Sequence, residues 1–441
     1  MSQTKSPASS SAAATREISP ASNILGGLRL PGDKSISHRY AMLAGFAEGQ
    51  SRLSNFSSGA DPHSTLACVE QLGARVERGE NGVLTITGCA GTFQTSQAAL
   101  DCGNSGSTMR MMAGLLAAQP FRCTLVGDAS LSRRPMERIR RPLSAMGAKV
   151  DLTDGHAPIT IHGGPLRGVD YQTPIASAQV KTCLLFAGLQ ASGTTQVHEP
   201  VRTRDHSELA LRAFGAQLER DKGSIRIEGG QKLHGMDAVV PGDLSSAAFF
   251  LCAAALFPES NLVLDSVGLN PTRATLLDVL RALGVRLNVL ELSEQHAELV
   301  GTLQVLGNPA GLQGAEITGA LSAQLIDELP ALAAIGPYTR DGIRIRDARE
   351  LRVKESDRIA LVASNLRAMG AKVEEFEDGL DVPGGQHLHG ADIDAGDDHR
   401  IAMAFAVAAL RATGNTQIHG AQSAAISFPE FFDFLERITE R

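Results

Sequence analysis

The sequence predicts an α/β protein of two domains, built from six copies of a unit of about 70 residues that holds two helices and several strands. Two repeated patterns indicate this fold class. One is an amphipathic helix that ends at a glycine and continues as a strand, and it occurs around Gly73, Gly147, Gly215, Gly284 and Gly370. Glycine suits this position because it adopts a left-handed backbone conformation without strain.

The second pattern is a more apolar helix, rich in Ala and Gly, with a polar start and a β-branched strand after it. Its copies begin near Ser35, Ser105, Ser177, Ser245, Ser322 and Asp397. The spacing is too long for a solenoid repeat and fits a subdomain of an α/β protein. We therefore expect three units in each domain.

The ends of the chain indicate the domain limits. Residues 1–20 are mainly Ser, Ala, Thr and Pro without an apolar period, which predicts a disordered tail, with a plastid transit peptide as the alternative. The sixth unit has no strand after its last helix, and residues 24–30 could supply that strand. One domain would then consist of residues 21–32 plus 242–441, and the other of residues 33–241.

The short sequence Pro-Gly-Asp occurs at both borders, beginning at Pro31 and at Pro241. Pro and Gly favour turns, so both sites are expected crossings between the domains. Two hinges side by side would favour closure of the domains over a ligand.

The composition excludes several classes of protein. A net charge of −7, no Trp and three Tyr disfavour nucleic-acid binding. The longest apolar run, residues 247–257, is too short to span a bilayer, and the N-terminal residues lack the pattern of an export signal. Six Cys without a C-x-x-C pair predict reduced thiols and no metal site. We expect a cytoplasmic enzyme that meets anionic substrates through local clusters of Arg and Lys.

The first helix start carries Lys34, Ser35 and Arg39 just after a Pro-Gly turn. Free backbone N–H groups and the helix dipole favour an anion at such a position. The alternative is an ordinary Ser-capped helix with solvated charges. A Walker A loop is not predicted, because Asp33 separates the Gly from the Lys.

Two further segments of the first half suggest anion binding. Asn104 and Gly106 belong to a Gly-Asn-Ser-Gly sequence, in which the glycines let backbone N–H groups approach a ligand closely. Arg134 and Arg204 lie in arginine-rich segments, and guanidinium groups are natural partners of carboxylate and phosphate. Solvated surface is the alternative for both arginine segments.

The second half of the sequence contains acidic candidate site residues as well as basic ones. Asp327 is followed by Glu328 and an apolar run, an environment that can raise a carboxyl pKa into the range useful for proton transfer. Residues 352–358 alternate cations and anions at another helix start and include Lys354 and Glu355. Pairing of neighbouring charges on a surface helix is the alternative interpretation.

Together these segments resemble the 5-enolpyruvylshikimate-3-phosphate synthase family, bacterial type, over nearly all of residues 30–434. The resemblance rests on motifs that begin at Pro31, Gly103, Arg134, Ser177, Arg352 and Asp398. It implies two domains, each of three βαβαββ units with pseudo-three-fold symmetry. It also implies transfer of the enolpyruvyl group of phosphoenolpyruvate to the 5-hydroxyl of shikimate 3-phosphate, by addition and then elimination of phosphate. No metal or organic cofactor is implied, and we expect a monomer.

The resemblance also implies roles for site residues. Shikimate 3-phosphate would be bound by Lys34, Ser35, Arg39, Ser177, Gln179, Arg204, Asp327 and Lys354. Phosphoenolpyruvate would be bound by Lys34, Asn104, Gly106, Arg134, Gln179, Arg358 and Arg400. Asp327 would take the proton of the 5-hydroxyl, while Glu355 and Lys34 would manage protonation of the methylene carbon and departure of phosphate. Glyphosate competes with phosphoenolpyruvate in this family, and glycine at position 106 implies sensitivity to it.

The sequence departs from the family pattern at a few positions. Many members place a Lys before a Phe-Pro pair near the C-terminus, but Ile426 and Ser427 precede Phe428 here. One cation for phosphoenolpyruvate is therefore absent or supplied elsewhere. Ala178 stands where some members have a second Ser, and Glu350 begins a pair that is Asn-Trp in some members.

Two alternative functions stay open on the sequence. UDP-N-acetylglucosamine enolpyruvyl transferases share the fold, but typically have Asn where Ser35 follows Lys34, and a Cys on the loop ahead of the arginine that corresponds to Arg134. A non-catalytic scaffold that binds anionic metabolites would keep the arginines but would not need Asp327 and Glu355.

Overall fold

The computed structural model describes residues 15–441. It confirms the predicted α/β fold of two domains with three βαβαββ units each. In a complete unit, helices pack on a four-stranded sheet with one parallel pair of strands and an antiparallel hairpin beside it. Such four-stranded sheets occur in the first, second, third and fifth units, whereas the sheet of the fourth unit has five strands and that of the sixth unit has three.

The elements follow one another in the order that the repeat predicts. The N-terminal strands and the first unit comprise β1 (Arg16–Ile18), β2 (Asn23–Arg29), α1 (Lys34–Phe46), β3 (Gln50–Ser54), α2 (Ala60–Gln71), β4 (Arg75–Arg78) and β5 (Leu84–Thr87). The second unit comprises β6 (Leu100–Asp101), α3 (Gly106–Leu116), β7 (Arg122–Val126), α4 (Ala129–Ser132), α5 (Glu137–Ala145), β8 (Lys149–Thr153) and β9 (His156–His162). The third comprises β10 (Asp170–Gln172), α6 (Ala178–Gly188), β11 (Thr194–His198), α7 (His206–Ala213), β12 (Leu218–Asp221) and β13 (Ser224–Glu228).

The second half of the chain repeats this order. After β14 (Asp237–Val239), the fourth unit comprises α8 (Leu244–Ala255), β15 (Asn261–Gly268), α9 (Thr275–Ala282), β16 (Arg286–Gln295) and β17 (Glu298–Leu306). The fifth comprises β18 (Ala315–Ile317), α10 (Ala320–Gln324), α11 (Leu329–Ile335), β19 (Ile343–Ile345), α12 (Arg358–Ala368), β20 (Glu374–Phe376) and β21 (Gly379–Val382). The sixth comprises β22 (Asp392–Asp394), α13 (His399–Ala409), β23 (Thr416–His419), α14 (Phe431–Ile438) and β24 (Thr439–Glu440). Short 3-10 turns span Gly336–Tyr338, Arg349–Val353 and Ala421–Ile426.

The glycines at the helix ends adopt the backbone conformation that the pattern requires. Their φ angles lie between 89° and 103° in Gly73, Gly147, Gly215, Gly284 and Gly370. A side chain at these positions would be strained, which explains why the same residue recurs there.

The fifth unit departs from the pattern. The apolar helix expected from about Ser322 is divided into α10 and α11. Pro330 lies at the start of α11, where a missing backbone N–H group is tolerated but a continuous helix is not. The division leaves Asp327 in the turn between the two helices.

The N-terminal segment corrects two expectations. Residues 1–14 lie outside the described residues, but β1 is ordered where a disordered tail to residue 20 was expected, and it pairs antiparallel with β23. Ile18 is buried in the core. The prediction missed β1 because it relied on the average composition of residues 1–20, which are rich in Ser and Ala. Hence β1 supplies the missing strand of the sixth sheet. Residues 24–30 lie instead in the sheet of the fourth unit, where β2 pairs parallel with β15. β2 also pairs antiparallel with β24, a short strand after the last helix, where no strand was expected.

The two chain crossings lie side by side. β2 enters the sheet of the fourth unit, and β14 enters the sheet of the first unit by pairing with β3. Between them Gly32 and Gly242 form an antiparallel bridge. A Cβ atom on Gly32 would lie 1.9 Å from the carbonyl oxygen of Asn55, so only glycine fits there.

Two separate apolar cores surround the buried helices. One contains buried side chains from positions 18–30 and 244–438, and the other contains side chains from positions 36–240. On this ground we propose that residues 21–32 plus 242–441 form domain I, which β1 extends, and that residues 33–241 form domain II. Among residues 15–441, no helix combines the length and apolar composition needed to cross a membrane.

A buried ionic cluster ties the crossings together. The guanidinium of Arg273 donates to the carboxylate of Asp33 at 2.8 Å and to that of Asp243 at 3.4 Å, and it also bonds Ser245. All four side chains are buried. Because an unpaired charge is costly in such surroundings, the cluster holds both chain segments against domain I.

Deleting residues 1–20 should lower the free energy of unfolding relative to deleting residues 1–14. The longer deletion also removes Ile18 and uncovers the edge of β23, and burial of one isoleucine contributes about 1.5–3 kcal/mol. Urea unfolding followed by circular dichroism measures the difference. Equal midpoints for the two truncated proteins would show that β1 adds nothing to the sheet.

Candidate active site

A cavity of about 470 Å³ lies between the domains. Domain II contributes the starts of α1, α3 and α6, and domain I contributes the turn after α10, residues 349–355 and the start of α13. Of the predicted site residues, those in the lining are Lys34, Ser35, Arg39, Gly106, Arg134, Ser177, Gln179, Arg204, Asp327, Lys354, Glu355 and Arg400. Asn104 and Arg358 are not in the lining and contact it from behind.

Polar caps position the helix starts at the cavity. The side chains of Asp33, Ser105 and Ser177 each accept a hydrogen bond from the backbone N–H group three residues further on, at 2.9, 3.0 and 3.4 Å. Each cap begins a helix next to the cavity, where the positive end of the helix dipole favours anions. The helices that were predicted to begin near Ser35, Ser105 and Ser177 are therefore confirmed.

Asp327 lies among four cations. Its carboxylate oxygens are 2.8 Å from Arg204, 3.4 Å from Lys354, 3.6 Å from Arg358 and 3.9 Å from Arg400. Burial by itself would raise the pKa of Asp327, but the surrounding cations, Lys354 foremost, hold it well below its usual range. The expectation that the apolar run after this residue raises its pKa is therefore wrong, because the cations outweigh the apolar neighbours.

Glu355 bridges the two domains. One of its oxygens accepts a hydrogen bond from Arg358 of domain I at 2.6 Å, and the other accepts one from Arg134 of domain II at 3.3 Å. Burial opposes ionisation of Glu355, but these two guanidinium groups hold its pKa well below the usual range. Asn104 accepts a hydrogen bond from Arg134 at 2.7 Å and so orients this arginine from outside the cavity.

Arg358 acts as a buried anchor. It is 1% exposed, and it donates to both oxygens of Asp398, at 2.8 and 3.1 Å, besides its bond to Glu355. These carboxylates keep its pKa above the usual range despite the burial. Arg358 therefore contacts Glu355 and Asp398 from behind the cavity. A sequence motif alone does not distinguish such an anchor from a residue that faces the cavity.

Lys34 pairs with a carboxylate that the sequence analysis missed. The ammonium of Lys34 lies 3.0 Å from Asp61 at the start of α2. Burial raises the pKa of Asp61, although Lys34 opposes this effect. His399 belongs to the motif that begins at Asp398 but was given no role; it lines the same region, and burial together with Lys34 and Arg400 keeps its pKa well below the usual range. The signals were present, since Asp61 opens a helix and His399 precedes Arg400.

The guanidinium group of Arg39 forms hydrogen bonds with other residues of the protein. It is buried, and it donates to the hydroxyl of Ser207 at 2.6 Å, to the backbone carbonyl of Ser35 at 2.8 Å and to the hydroxyl of Thr182 at 3.1 Å. Burial lowers its pKa to about 10. One turn of α1 thus links this arginine to the helix start that the sequence analysis singled out.

Gln179 belongs to a further polar chain beside Gly106. It accepts a hydrogen bond from Arg110 at 2.7 Å and donates one to Ser107 at 3.0 Å. Burial, with Arg138 and Arg134 nearby, lowers the pKa of Arg110 to about 9. A Cβ atom on Gly106 would lie 3.1 Å from a guanidinium nitrogen of Arg110 and 3.3 Å from one of Arg134. The glycine therefore leaves room for two cations at one corner of the cavity.

Further hydrogen bonds join the two domains at the rim of the cavity. Arg138 of domain II donates to both oxygens of Glu350 in domain I, at 3.2 and 3.4 Å. The hydroxyl of Ser130 donates to the backbone carbonyl of Glu355 at 3.1 Å. Within residues 15–441, no three His, Cys, Asp or Glu side chains lie close enough together to hold a metal ion.

Comparison with solved structures identifies the class of protein. The fold matches that of the enolpyruvyl transferase NikO from Streptomyces tendae, with a TM-score of 0.78, 20% identity and 96% of each chain covered. It matches EPSP synthase from Acinetobacter baumannii with a TM-score of 0.85 and 39% identity, over 96% of this chain and 98% of that one. The chain thus has the enolpyruvyl transferase fold.

Sequence comparison narrows the class to one family. A model of EPSP synthase (3-phosphoshikimate 1-carboxyvinyltransferase) matches residues 18–435. Proteins named 3-phosphoshikimate 1-carboxyvinyltransferase are 62% identical in Koribacter versatilis and 53% identical in Solibacter usitatus, each over 96% of this chain and at least 99% of the relative. The chain belongs to the EPSP synthase family and is an enzyme of that family, as the resemblance implied.

Replacing Arg358 by Met should destabilise the protein by about 3–5 kcal/mol, because the buried carboxylate of Asp398 would lose its cation and Glu355 would keep only Arg134. The matched control is Arg349→Met, which breaks an ion pair with Glu377 at 2.8 Å whose side chains are 77% and 73% exposed. That change should cost less than about 1 kcal/mol. Urea unfolding followed by circular dichroism measures both, and equal losses would contradict the anchoring role of Arg358.

Proposed function

We propose that the cavity between the domains binds phosphoenolpyruvate and shikimate 3-phosphate side by side and catalyses the reaction of this family. The enolpyruvyl group moves to the 5-hydroxyl of shikimate 3-phosphate, and phosphate is released. The observation that carries this proposal is the meeting of two ionised carboxylates, Asp327 and Glu355, with cations from both domains. Substrates with two phosphates and two carboxylates need such fixed cations.

The proposal divides the lining between the substrates. The side chains for shikimate 3-phosphate are Lys34, Ser35, Arg39, Ser177, Gln179, Arg204, Asp327 and Lys354. Those for phosphoenolpyruvate are Lys34, Asn104, Gly106, Arg134, Gln179, Arg358 and Arg400, with Asn104 and Arg358 acting through Arg134 and Glu355. Lys34 and Gln179 serve both substrates, so they lie at the border of the two subsites.

Catalysis begins with addition. Asp327 accepts the proton of the 5-hydroxyl while the hydroxyl oxygen bonds to the central carbon of phosphoenolpyruvate. The methylene carbon takes up a proton, and Glu355 and Lys34 manage this transfer. In the elimination step the methyl carbon returns a proton and the bond to phosphate breaks, so that the enolpyruvyl ether remains on the shikimate ring. Holding both substrates in one cavity removes the entropic cost of their encounter.

The low pKa of Asp327 fits this sequence of events. A carboxylate among four cations is ionised at neutral pH and is a weak base. Anionic substrates neutralise those cations, so substrate binding raises the pKa of Asp327 at the moment when it must accept a proton. The base thus gains strength through binding of its own substrates.

The proposal also includes the location of the enzyme in the cell and its oligomeric state. We assign it to the cytoplasm, where a biosynthetic enzyme with reduced cysteines is expected. We also propose that the enzyme is a monomer. The direct test of function is a phosphate-release assay, in which release must depend on both substrates. Release with phosphoenolpyruvate alone, or with UDP-N-acetylglucosamine in place of shikimate 3-phosphate, would overturn the assignment.

Asp327→Asn and Lys34→Met should each lower kcat by roughly 10²–10⁴-fold, because each removes a group that transfers or stabilises a proton or a developing charge. Both variants should keep the circular dichroism spectrum of the parent protein. Steady-state assays of phosphate release measure the effect. Near-normal turnover in either variant would refute its catalytic assignment.

Glyphosate should inhibit the enzyme competitively with phosphoenolpyruvate, and Gly106→Ala should raise its inhibition constant far more than the KM of phosphoenolpyruvate. The added methyl group would press on the guanidinium groups of Arg110 and Arg134 and would obstruct the longer ligand more than the substrate. Inhibition constants of both proteins decide the matter. An insensitive parent enzyme, or equal losses for inhibitor and substrate, would contradict this geometry.

A further inference from the structure

The loop between β11 and α7, residues 199–205, carries Arg204 to the cavity. The guanidinium of Arg204 reaches across to Asp327 of domain I, 2.8 Å away. A loop has no helix or strand hydrogen bonds of its own, so something else must hold this arginine in place.

A buried ionic cluster lies beneath the loop. Lys181 is 0% exposed, and its ammonium is 3.0 Å from Glu199 and 2.9 Å from Glu208, whose side chains are 3% and 2% exposed. Lys181 belongs to α6, the helix that Ser177 caps, and Glu208 belongs to α7. The cluster therefore joins two helices to the first residue of the loop.

The loop is fastened to this cluster by one side chain. The second oxygen of Glu199 accepts hydrogen bonds from the backbone N–H group of Thr203, at 3.2 Å, and from its hydroxyl. Thr203 directly precedes Arg204. Charge-assisted hydrogen bonds of this kind are the stronger ones in proteins. The chain of contacts that starts at Lys181 therefore ends at Thr203, next to Arg204.

The far end of the loop is held by domain I. Asp205 accepts a hydrogen bond from the amide of Asn270 at 2.9 Å, and its backbone N–H donates to the hydroxyl of Thr272 at 3.4 Å. Arg204 thus sits between one anchor in its own domain and one in the other. Its position depends on both.

We propose that Lys181, Glu199 and Thr203 are positioning residues, which hold Arg204 in the orientation that binds shikimate 3-phosphate. This inference rests on the proposed function. It predicts that loosening the loop acts on the affinity for shikimate 3-phosphate through Arg204, while phosphoenolpyruvate is bound as before.

The test compares Thr203→Val with Thr203→Ser. Valine has nearly the same shape but no hydroxyl, whereas serine keeps the hydroxyl. Thr203→Val should weaken binding of shikimate 3-phosphate about tenfold, as expected for the loss of one hydrogen bond to a charged group. Thr203→Ser should stay within about twofold of the parent protein. Calorimetric titration with shikimate 3-phosphate alone measures these affinities, and the KM of phosphoenolpyruvate should not change.

A double-mutant cycle with Arg204→Ala separates positioning from direct contact. If Thr203 acts through Arg204, Thr203→Val should have no further effect once the arginine is absent. An equal loss in both backgrounds, or unchanged affinity in Thr203→Val, would overturn the proposal. Failure of the proposed function would look different, since the parent enzyme would then release no phosphate from the two substrates.

Lys181→Met provides a second measurement at the base of the cluster. It leaves Glu199 and Glu208 buried without their cation, so a lower midpoint of thermal unfolding is expected. Where the protein folds at the assay temperature, it should show the selective loss of shikimate 3-phosphate affinity seen in Thr203→Val. A folded Lys181→Met protein with normal affinity would contradict the role of the cluster.

Discussion

Two carboxylates hold the halves of this enzyme together, because each lies between cations from both domains. Asp327 of domain I contacts Arg204 of domain II, and Glu355 of domain I contacts Arg134 of domain II. Cations gathered in one cavity repel one another unless anions lie between them. The two acidic residues supply those anions in the protein itself, and the proposed substrates bring further anions to the same cations.

Buried charges away from the cavity are likewise paired with opposite charges. Arg273 is buried together with Asp33 and Asp243 at the chain crossings, and Lys181 is buried with two glutamates under the loop that carries Arg204. A buried pair of this kind adds little stability over an apolar packing, but breaking it is costly. Such pairs therefore specify one arrangement of loops and crossings, and that arrangement determines where the site residues stand.

The sequence predicted the helix starts well and the surroundings of each side chain poorly. Polar caps and helix-ending glycines are local signals, and both were found where expected. The apolar run after Asp327 suggested a raised pKa, whereas the cations around it come from segments far apart in the chain. Arg358 belongs to a binding motif but anchors two carboxylates from behind. Asp61 was missed although it opens a helix, because its pairing with Lys34 forms only on folding.

The sequence alone determined the six-fold repeat, the family and the motifs that carry most of the predicted lining residues, because periodic patterning and motif residues are local properties of the chain. Only the tertiary structure decided which strand completes the sixth sheet, which arginines face the cavity and which carboxylates are ionised. Pairing of β1 with β23 joins the two ends of the chain, and the pKa of Asp327 reflects charges from several units and both domains. Such effects depend on distances in space, and those distances follow from the packing of all six units.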